Sequence, residues 1–302
     1  MPSFKKVQAE FVDDKYEGGT KVFLESAEDV RIFSDHWFSD KQDKLRFVSA
    51  EGDQSGGGGC QVVISKVNEV NARDIKAYGI VDRDVLLADK KLDLFWEADD
   101  TRFHATQPYG DKIYVLRRWE LENYLLQSEA FSTEVSKRVS RSPAPKISAQ
   151  TLLDQSEDII KLTALTTISV TNGKASPSPS FGSQSSGSNL DDEIRKHLNK
   201  QFPDNDYPNK DDDFKDNIYK IRGFDQTQGS SEDRWNKLSR ILDGKKSLVR
   251  LCQYLSKNHG IKGISQWEEM RGCLANVIAS RSSIDIELVD FIDSLYRINH
   301  TP

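Results

Sequence analysis

The stretch Ala77-Tyr78-Gly79-Ile80-Val81, running directly into Asp82-Arg83-Asp84, limits what this chain can fold into more than any other. An unbroken apolar run of that length between polar residues predicts a strand buried on both faces, as in a parallel sheet. Asp82 and Asp84 then fall at the strand's C-terminal end, where open α/β sheets place their chemistry. Two carboxylates spaced i, i+2 repel one another, and a hard divalent cation bound through oxygen relieves that repulsion. A simple turn would use the same residues, because Asp is a common turn former. The pair therefore points to a metal only in company with further acids at the same sheet edge.

The preceding chain supplies one. Thr20–Leu24 predicts a strand ending on Glu25, and Ser26 is placed to cap a following helix with Glu28 and Asp29 in its first turn. Val30, Phe33 and Trp37 give that helix one apolar face. A second strand, Leu45–Ala50, leads to a glycine cluster, Gly56–Gly59, ahead of Cys60. Such a cluster reads first as a flexible connector and second as a backbone that lets phosphate approach. Val62, Val63, Ile64, Val67 and Val70 predict the next helix, before the Asp82/Asp84 strand. The order βαβαβ argues for a parallel sheet with helices on both faces.

Leu92–Phe95 predicts a short edge strand or turn, and Lys112–Leu116 a further strand. The tract that follows carries Arg117, Arg118, Glu120 and Glu122. On a helix Glu120 and Glu122 would diverge by about 200°, so at most one of them is expected to join Glu25 and Asp82. These elements place an α/β domain over residues 1–130, followed by a mostly helical region over 131–302. In that region Lys137, Arg138, Arg141 and Lys146 form a basic cluster, able to meet phosphates or simply solvated, and residues 172–189 are Ser/Gly/Pro-rich, predicting a flexible insertion. Periodic apolar residues predict helices around Trp235–Leu242, Leu248–Leu255, Trp267–Ile278 and Ile284–Tyr296. Asp243-Gly244-Lys245-Lys246-Ser247 resembles half of a phosphate loop. Ser239 stands where the first glycine is required, which excludes a nucleotide-hydrolysing loop and leaves Lys245 as a surface lysine within reach of a phosphate.

A formal net charge of −6 over 302 residues provides no global basic footprint, so a nucleic acid would be met locally or through metal ions. Cys60, Cys252 and Cys273 lack the spacing of a zinc site or a disulfide framework. The sequence shows no signal peptide and no apolar run of membrane length, so a cytoplasmic protein is expected.

Taken together, Phe23-Leu24-Glu25 with Asp29, the glycine loop before Cys60, Gly79-Ile80-Val81-Asp82-Arg83-Asp84 and Glu120-Leu121-Glu122-Asn123-Tyr124-Leu125 resemble the Toprim domain of OLD-type nucleases. The likeness spans about residues 20–126 and is strongest to the Toprim effectors of the PARIS anti-phage system (the AriB group). Those act beside a separate ABC-type ATPase (AriA). One departure is Ser26, where many Toprim domains carry glycine. The resemblance implies a Mg2+-dependent nuclease, with Mn2+ as a substitute and two ions in the site. It assigns acid–base and metal roles to Glu25, magnesium binding to Asp82 and Asp84, and second-ion binding to Asp29 and Glu122; Lys245, outside the stretch of likeness, joins the catalytic candidates from the half phosphate loop. It implies tRNA or DNA as substrate, and the cations that the sequence offers to contact it are Arg83, Arg117, Arg118, Lys137, Arg138 and Arg141. It also implies a homodimer in the active state and abortive infection once the ATPase partner releases it. A haloacid-dehalogenase phosphatase also uses Asp-x-Asp, but here Leu86 stands where it needs Thr or Val. The alternative from another class is a non-catalytic Toprim-like adaptor that docks on the ATPase.

Overall fold

The computed structural model describes residues 19–51, 59–139, 143–202, 207–225 and 228–298. The chain folds into two compact units, each built from discontinuous segments. The first comprises residues 1–81, 107–115 and 284–302, and the second residues 82–106 and 116–283. This division does not follow the linear boundary at residue 130 that the sequence suggests.

The first unit holds a four-stranded, all-parallel sheet: β1 Thr20–Leu24, β2 Leu45–Ser49, β3 Ala77–Val81 and β4 Ile113–Val115, in the order β2-β1-β3-β4. Phe23 pairs with Gly79 and Gly79 with Ile113, so β3 lies between two strands and all five of its residues are buried. On the edge strand β2, Leu45 and Phe47 are buried while Arg46 between them is exposed, the alternation of a strand wet on one face. The chain steps from β1 outward to β2 and then back across to β3, so the winding reverses between β1 and β3. That reversal is the switch point at which open sheets bind ligands.

Helices cover the sheet. α1, Ala27–Arg31, continues as a π-helix over Ile32–Trp37 and brings Phe33 within 5.6 to 5.8 Å of Trp37, Phe38 and Phe47. α2, Cys60–Asn71, buries Val63 and Val67 against β3. Gly79 makes this approach fit, since a Cβ there would stand 2.7 Å from Val63 Cγ1 and 3.0 Å from Val67 Cγ2. The last helix of the chain, Ile286–Ile298, belongs to this unit as well. It stacks Phe291 on Tyr114 of β4 at 4.0 Å, and Tyr114 donates its hydroxyl hydrogen to Glu287 at 3.2 Å. Leu288, Ile292 and Leu295 line its buried face.

The second unit is helical. Leu92–Phe95, expected as an edge strand or turn, forms one turn of helix, with Phe95 buried on Trp119. The core of this unit joins Ser156–Thr171 to Gly187–Gln201 through Leu162, Leu165, Ile168, Leu190, Ile194, Leu198 and Phe202. Residues 172–189 do not behave as the free linker their composition predicts. Phe181 packs on that core, and Arg250 donates to the carbonyls of Gly182 and Ser185 at 2.7 and 2.9 Å. Lys246 reaches the carbonyl of Pro177, and Gln253 the hydroxyl of Ser183. Their donors stand on one helix, Gly244–His259, whose polar face the segment satisfies. Among the described residues, no helix is long and apolar enough to cross a membrane.

Candidate functional site

Glu25 is the first residue beyond β1, and Asp82 the first beyond β3, so both follow the strands that flank the switch point. In the first unit the Glu25 carboxylate accepts a hydrogen bond from the Cys60 thiol at 2.6 Å. Cys60 opens α2, just after Gly59, whose φ of 122° favours glycine. Asp29 caps the helix that follows. Its Oδ2 accepts from the backbone N–H of Ser26 at 3.1 Å, while its own N–H donates to the Ser26 hydroxyl at 3.1 Å. That reciprocal capping box closes the start of α1 and engages Asp29 as a structural acid. The glycines Gly56–Gly58 lie outside the described residues.

In the second unit, Asp82-Arg83-Asp84 turns the chain into a short helix, Val85–Ala88. Arg83 is the inward member of the three, 1% exposed. Its guanidinium donates to the carbonyls of Phe95 (2.7 Å), Glu97 (2.6 Å) and Arg117 (2.6 Å) and lies 4.3 Å over the Phe103 ring. Asp82 and Asp84 stay half-buried on either side of it. Arg83 is thus the scaffold of the aspartate pair and is closed to nucleic acid. Arg117 pairs with Asp100 at 2.9 Å, and Arg240 shares that carboxylate. Asp100 is half-buried; burial alone would raise its pKa, but the two guanidiniums bring it below the usual range. Arg118, 6% exposed, donates to Ser239 Oγ and Asn236 Oδ1 and stacks over Tyr124. These three of the arginines expected on a phosphate backbone brace the protein's own groups.

Lys137 and Arg138 both meet the buried Glu134, Lys137 at 2.6 Å, which offsets one charge of the expected basic cluster. Arg141 lies outside the described residues.

The chemistry of this unit gathers where Glu122–Leu125 meets the start of the Gly244–His259 helix. Glu120 accepts from the Lys245 backbone N–H at 2.6 Å and from Lys245 Nζ at 2.7 Å, one oxygen each. Asn123 fixes the junction: its Oδ1 accepts from the Glu120 N–H, and its amide donates to the carbonyls of Ser239 and Leu242. Gly244 makes it possible, because a Cβ there would stand 2.5 Å from Asn123 Oδ1 and 2.9 Å from Glu120 Cγ. Asp243 caps the helix, accepting from the Lys246 N–H at 3.0 Å, from Lys246 Nζ at 2.9 Å and from Thr166 at 2.8 Å. The two lysines of the half phosphate loop therefore part ways. Lys246 is a buried structural ion, 2% exposed, whereas the Lys245 side chain keeps 39% of its surface open.

Electrostatics follow from that placement. Burial pushes the Glu120 carboxyl up to about 8, with Lys245 pulling against it and Glu122 and Asp243 adding to it. Burial also works against the Lys245 charge, but the carboxylates of Glu120, Glu122 and Asp82 more than reverse it, so the ammonium persists well above the usual lysine range. Glu122, 1% exposed, faces Arg271 Nε at 3.1 Å. Sequence reasoning leaves Glu120 as an alternative to Glu122 and does not reach Asn123, Gly244 and Arg271 as site residues. Only the half phosphate loop hints at one of these, Gly244.

Asp82 and Asp84 are oxygen donors of the hard kind that magnesium prefers, but two carboxylates alone fall short of its coordination. Among the described residues, no group of three or more His, Cys, Asp or Glu side chains is gathered closely enough to hold a metal ion. Of the two acids expected to serve a second ion, Asp29 gives its Oδ2 to the α1 cap, and Glu122 Oε1 lies 3.1 Å from Arg271 Nε without a formed hydrogen bond. Comparison with family models, curated proteins and solved structures finds no match to this chain.

Proposed function

We propose that this protein is a Mg2+-dependent phosphodiesterase of the Toprim type, a toxic effector of anti-phage defence that cuts host tRNA or DNA. The observation that carries this reading is Asp82-Arg83-Asp84 at the end of the buried strand β3, beside the switch point of an all-parallel sheet. Lys245, pinned by Glu120 and charged in the field of Asp82, adds a cation suited to a phosphate oxygen. Asp82 and Asp84 would hold magnesium, which when bound polarises the phosphodiester and lowers the pKa of water; Mn2+ would substitute. Glu25 is assigned acid–base work, with Cys60 orienting its carboxylate. By the same resemblance an ABC-type ATPase restrains the enzyme until infection releases it, and the active form is a homodimer.

The test is incubation of purified protein with tRNA and with duplex DNA, in magnesium or EDTA. Glu25→Gln and Asp82→Asn serve as controls. Cleavage that needs magnesium and is lost in both variants supports the reading. Cleavage that survives both substitutions, or no cleavage by the wild type freed of its partner, rejects it.

One observation favours the second reading, an adaptor without catalysis. Arg83, Arg117 and Arg118 are engaged internally, so three of the cations expected to hold nucleic acid are spent on the protein's own carbonyls, hydroxyls and carboxylates. An adaptor binds the ATPase equally well after Asp82→Asn and cleaves nothing under any condition.

A further inference from the structure

Most charges on the helix Tyr207–Gly223 are matched within the second unit. Asp211 and Asp212 meet Lys215, Asp213 meets Lys210 at 2.9 Å, and Arg222 meets Glu157. Asp216 and Lys220 differ. An acid four residues ahead of a lysine is the usual helical ion pair. Here the two do not pair, and Lys220 stands over the Trp96 ring, 5.7 Å from its centre. Among the described residues, the side chains of Asp216 and Asn217 meet no hydrogen-bond or ion-pair partner.

These groups line one cavity of about 270 Å³, together with Trp96, the exposed Leu92 and the buried Ile168. Thr171 and Asn172, also at the cavity, are spent on their own helix, donating to the Thr167 and Ile168 carbonyls. The polar groups left for a ligand therefore come from one face of the Tyr207–Gly223 helix. The volume lies just below the roughly 300–1,000 Å³ of sites that enclose a drug-sized ligand. It suits one planar base, with sugar and phosphate outside.

Each remaining group matches a part of such a ligand. An indole face stacks any base. A carboxylate accepts best from two adjacent N–H donors, and among the bases guanine alone presents two, N1–H and N2–H. Adenine presents the acceptor N1 there, which a carboxylate repels. The Asn217 amide supplies the donor that guanine O6 needs, and the exposed Lys220 ammonium suits a phosphate as a point charge. We propose that this cavity binds a guanine nucleotide, with Trp96 stacking the base, Asp216 and Asn217 reading its edge and Lys220 meeting the phosphate. Binding here makes and breaks no covalent bond, so it is measured without reference to cleavage.

Calorimetric titration of the full chain with GMP, AMP and guanosine is the test. GMP should bind at least about tenfold more tightly than AMP, within the discrimination that one bidentate base contact provides. Asp216→Asn should erase that preference. Trp96→Ala should weaken GMP and AMP alike by about 5–150-fold, the loss expected for one stacked base. Trp96→Phe should restore most of it, with circular dichroism showing both variants folded. Lys220→Ala should weaken GMP and leave guanosine unchanged. Competition in EDTA separates two sources of the ligand. A uridine hexanucleotide carrying one central guanine displaces GMP where the site takes an unpaired guanine of RNA, and the all-uridine hexanucleotide does not. Failure of both to displace bound GMP assigns the site to the free nucleotide, and either result supports it. No binding of GMP, equal affinity for GMP and AMP, or GMP binding unchanged by both Asp216→Asn and Trp96→Ala would overturn the proposal.

Discussion

Two carboxylates at the start of one helix titrate in opposite directions, and their partners decide which way. Burial raises Glu120 to about 8 from an ordinary 4.5. Stability from that group is then complete below about 4.5 and is lost as pH rises through about 8. Asp243 is equally enclosed, but Lys246 outweighs the effect of burial and holds it below its ordinary value. Its contribution has the other sign: present above 3.8 and lost as pH falls through the depressed value. Chemical denaturation followed across pH should therefore show Glu120→Gln flattening the decline between pH 4.5 and 8, while Asp243→Asn flattens the acid limb instead. The same residue-scale reasoning separates Arg83 from the aspartates around it. Arg83→Ala would leave the Phe95, Glu97 and Arg117 carbonyls without their donor. A cost of about 3–5 kcal/mol is expected by urea denaturation. Arg83→Lys should recover little of it, because one ammonium cannot span the positions a guanidinium fork reaches. A near-neutral Arg83→Ala would return this arginine to the surface role its sequence suggests.

At the scale of elements, the sequence and the structure agree wherever a single period decides the outcome. The run Ala77–Val81 reads as a strand because it is apolar on both faces, and the structure buries all five residues. The βαβαβ order likewise reads as a parallel sheet. Agreement fails where a partner distant in sequence decides. Residues 172–189 read as free because serine, glycine and proline bury little, yet the Gly244–His259 helix holds them through donors aimed at backbone carbonyls. Backbone carbonyls are present in every sequence, so nothing in this one marks which of them will be used. Arg83 escapes the sequence for the same reason, since an arginine between two acids looks electrostatic until its carbonyl acceptors are seen. Arg250 is the test of the pinned segment, because it bonds Gly182, Ser185 and Asp158 together. Arg250→Ala should make residues 172–189 the first site of limited proteolysis while far-ultraviolet circular dichroism stays unchanged. Unaltered resistance there would mean that Phe181 and its apolar contacts suffice to hold the segment.

For the whole molecule, the order of residues along the chain and their membership of a compact unit are separate facts. A boundary near residue 130 suits composition, but the helix Ile286–Ile298 returns to the sheet-bearing unit. Its amphipathic period is legible in the sequence, whereas its destination is not: a buried stripe says that a helix packs, not on what. The structure gives the destination through Phe291 on Tyr114, Glu287 at the Tyr114 hydroxyl, and Lys41 against Asp293 at 3.1 Å. Leu288 is fully buried there, so Leu288→Ala should cost about 2–5 kcal/mol. Where that loss appears distinguishes the two divisions of the chain. Units open separately when their cores are separate, and amide hydrogen exchange reports each opening. Leu288→Ala should accelerate exchange in β1 to β4 and in Cys60–Asn71, and leave the Ser156–Thr171 and Gly187–Gln201 helices near their wild-type rates. Faster exchange confined to those two helices would instead assign the C-terminal helix to the helical unit, as its position in the sequence suggests.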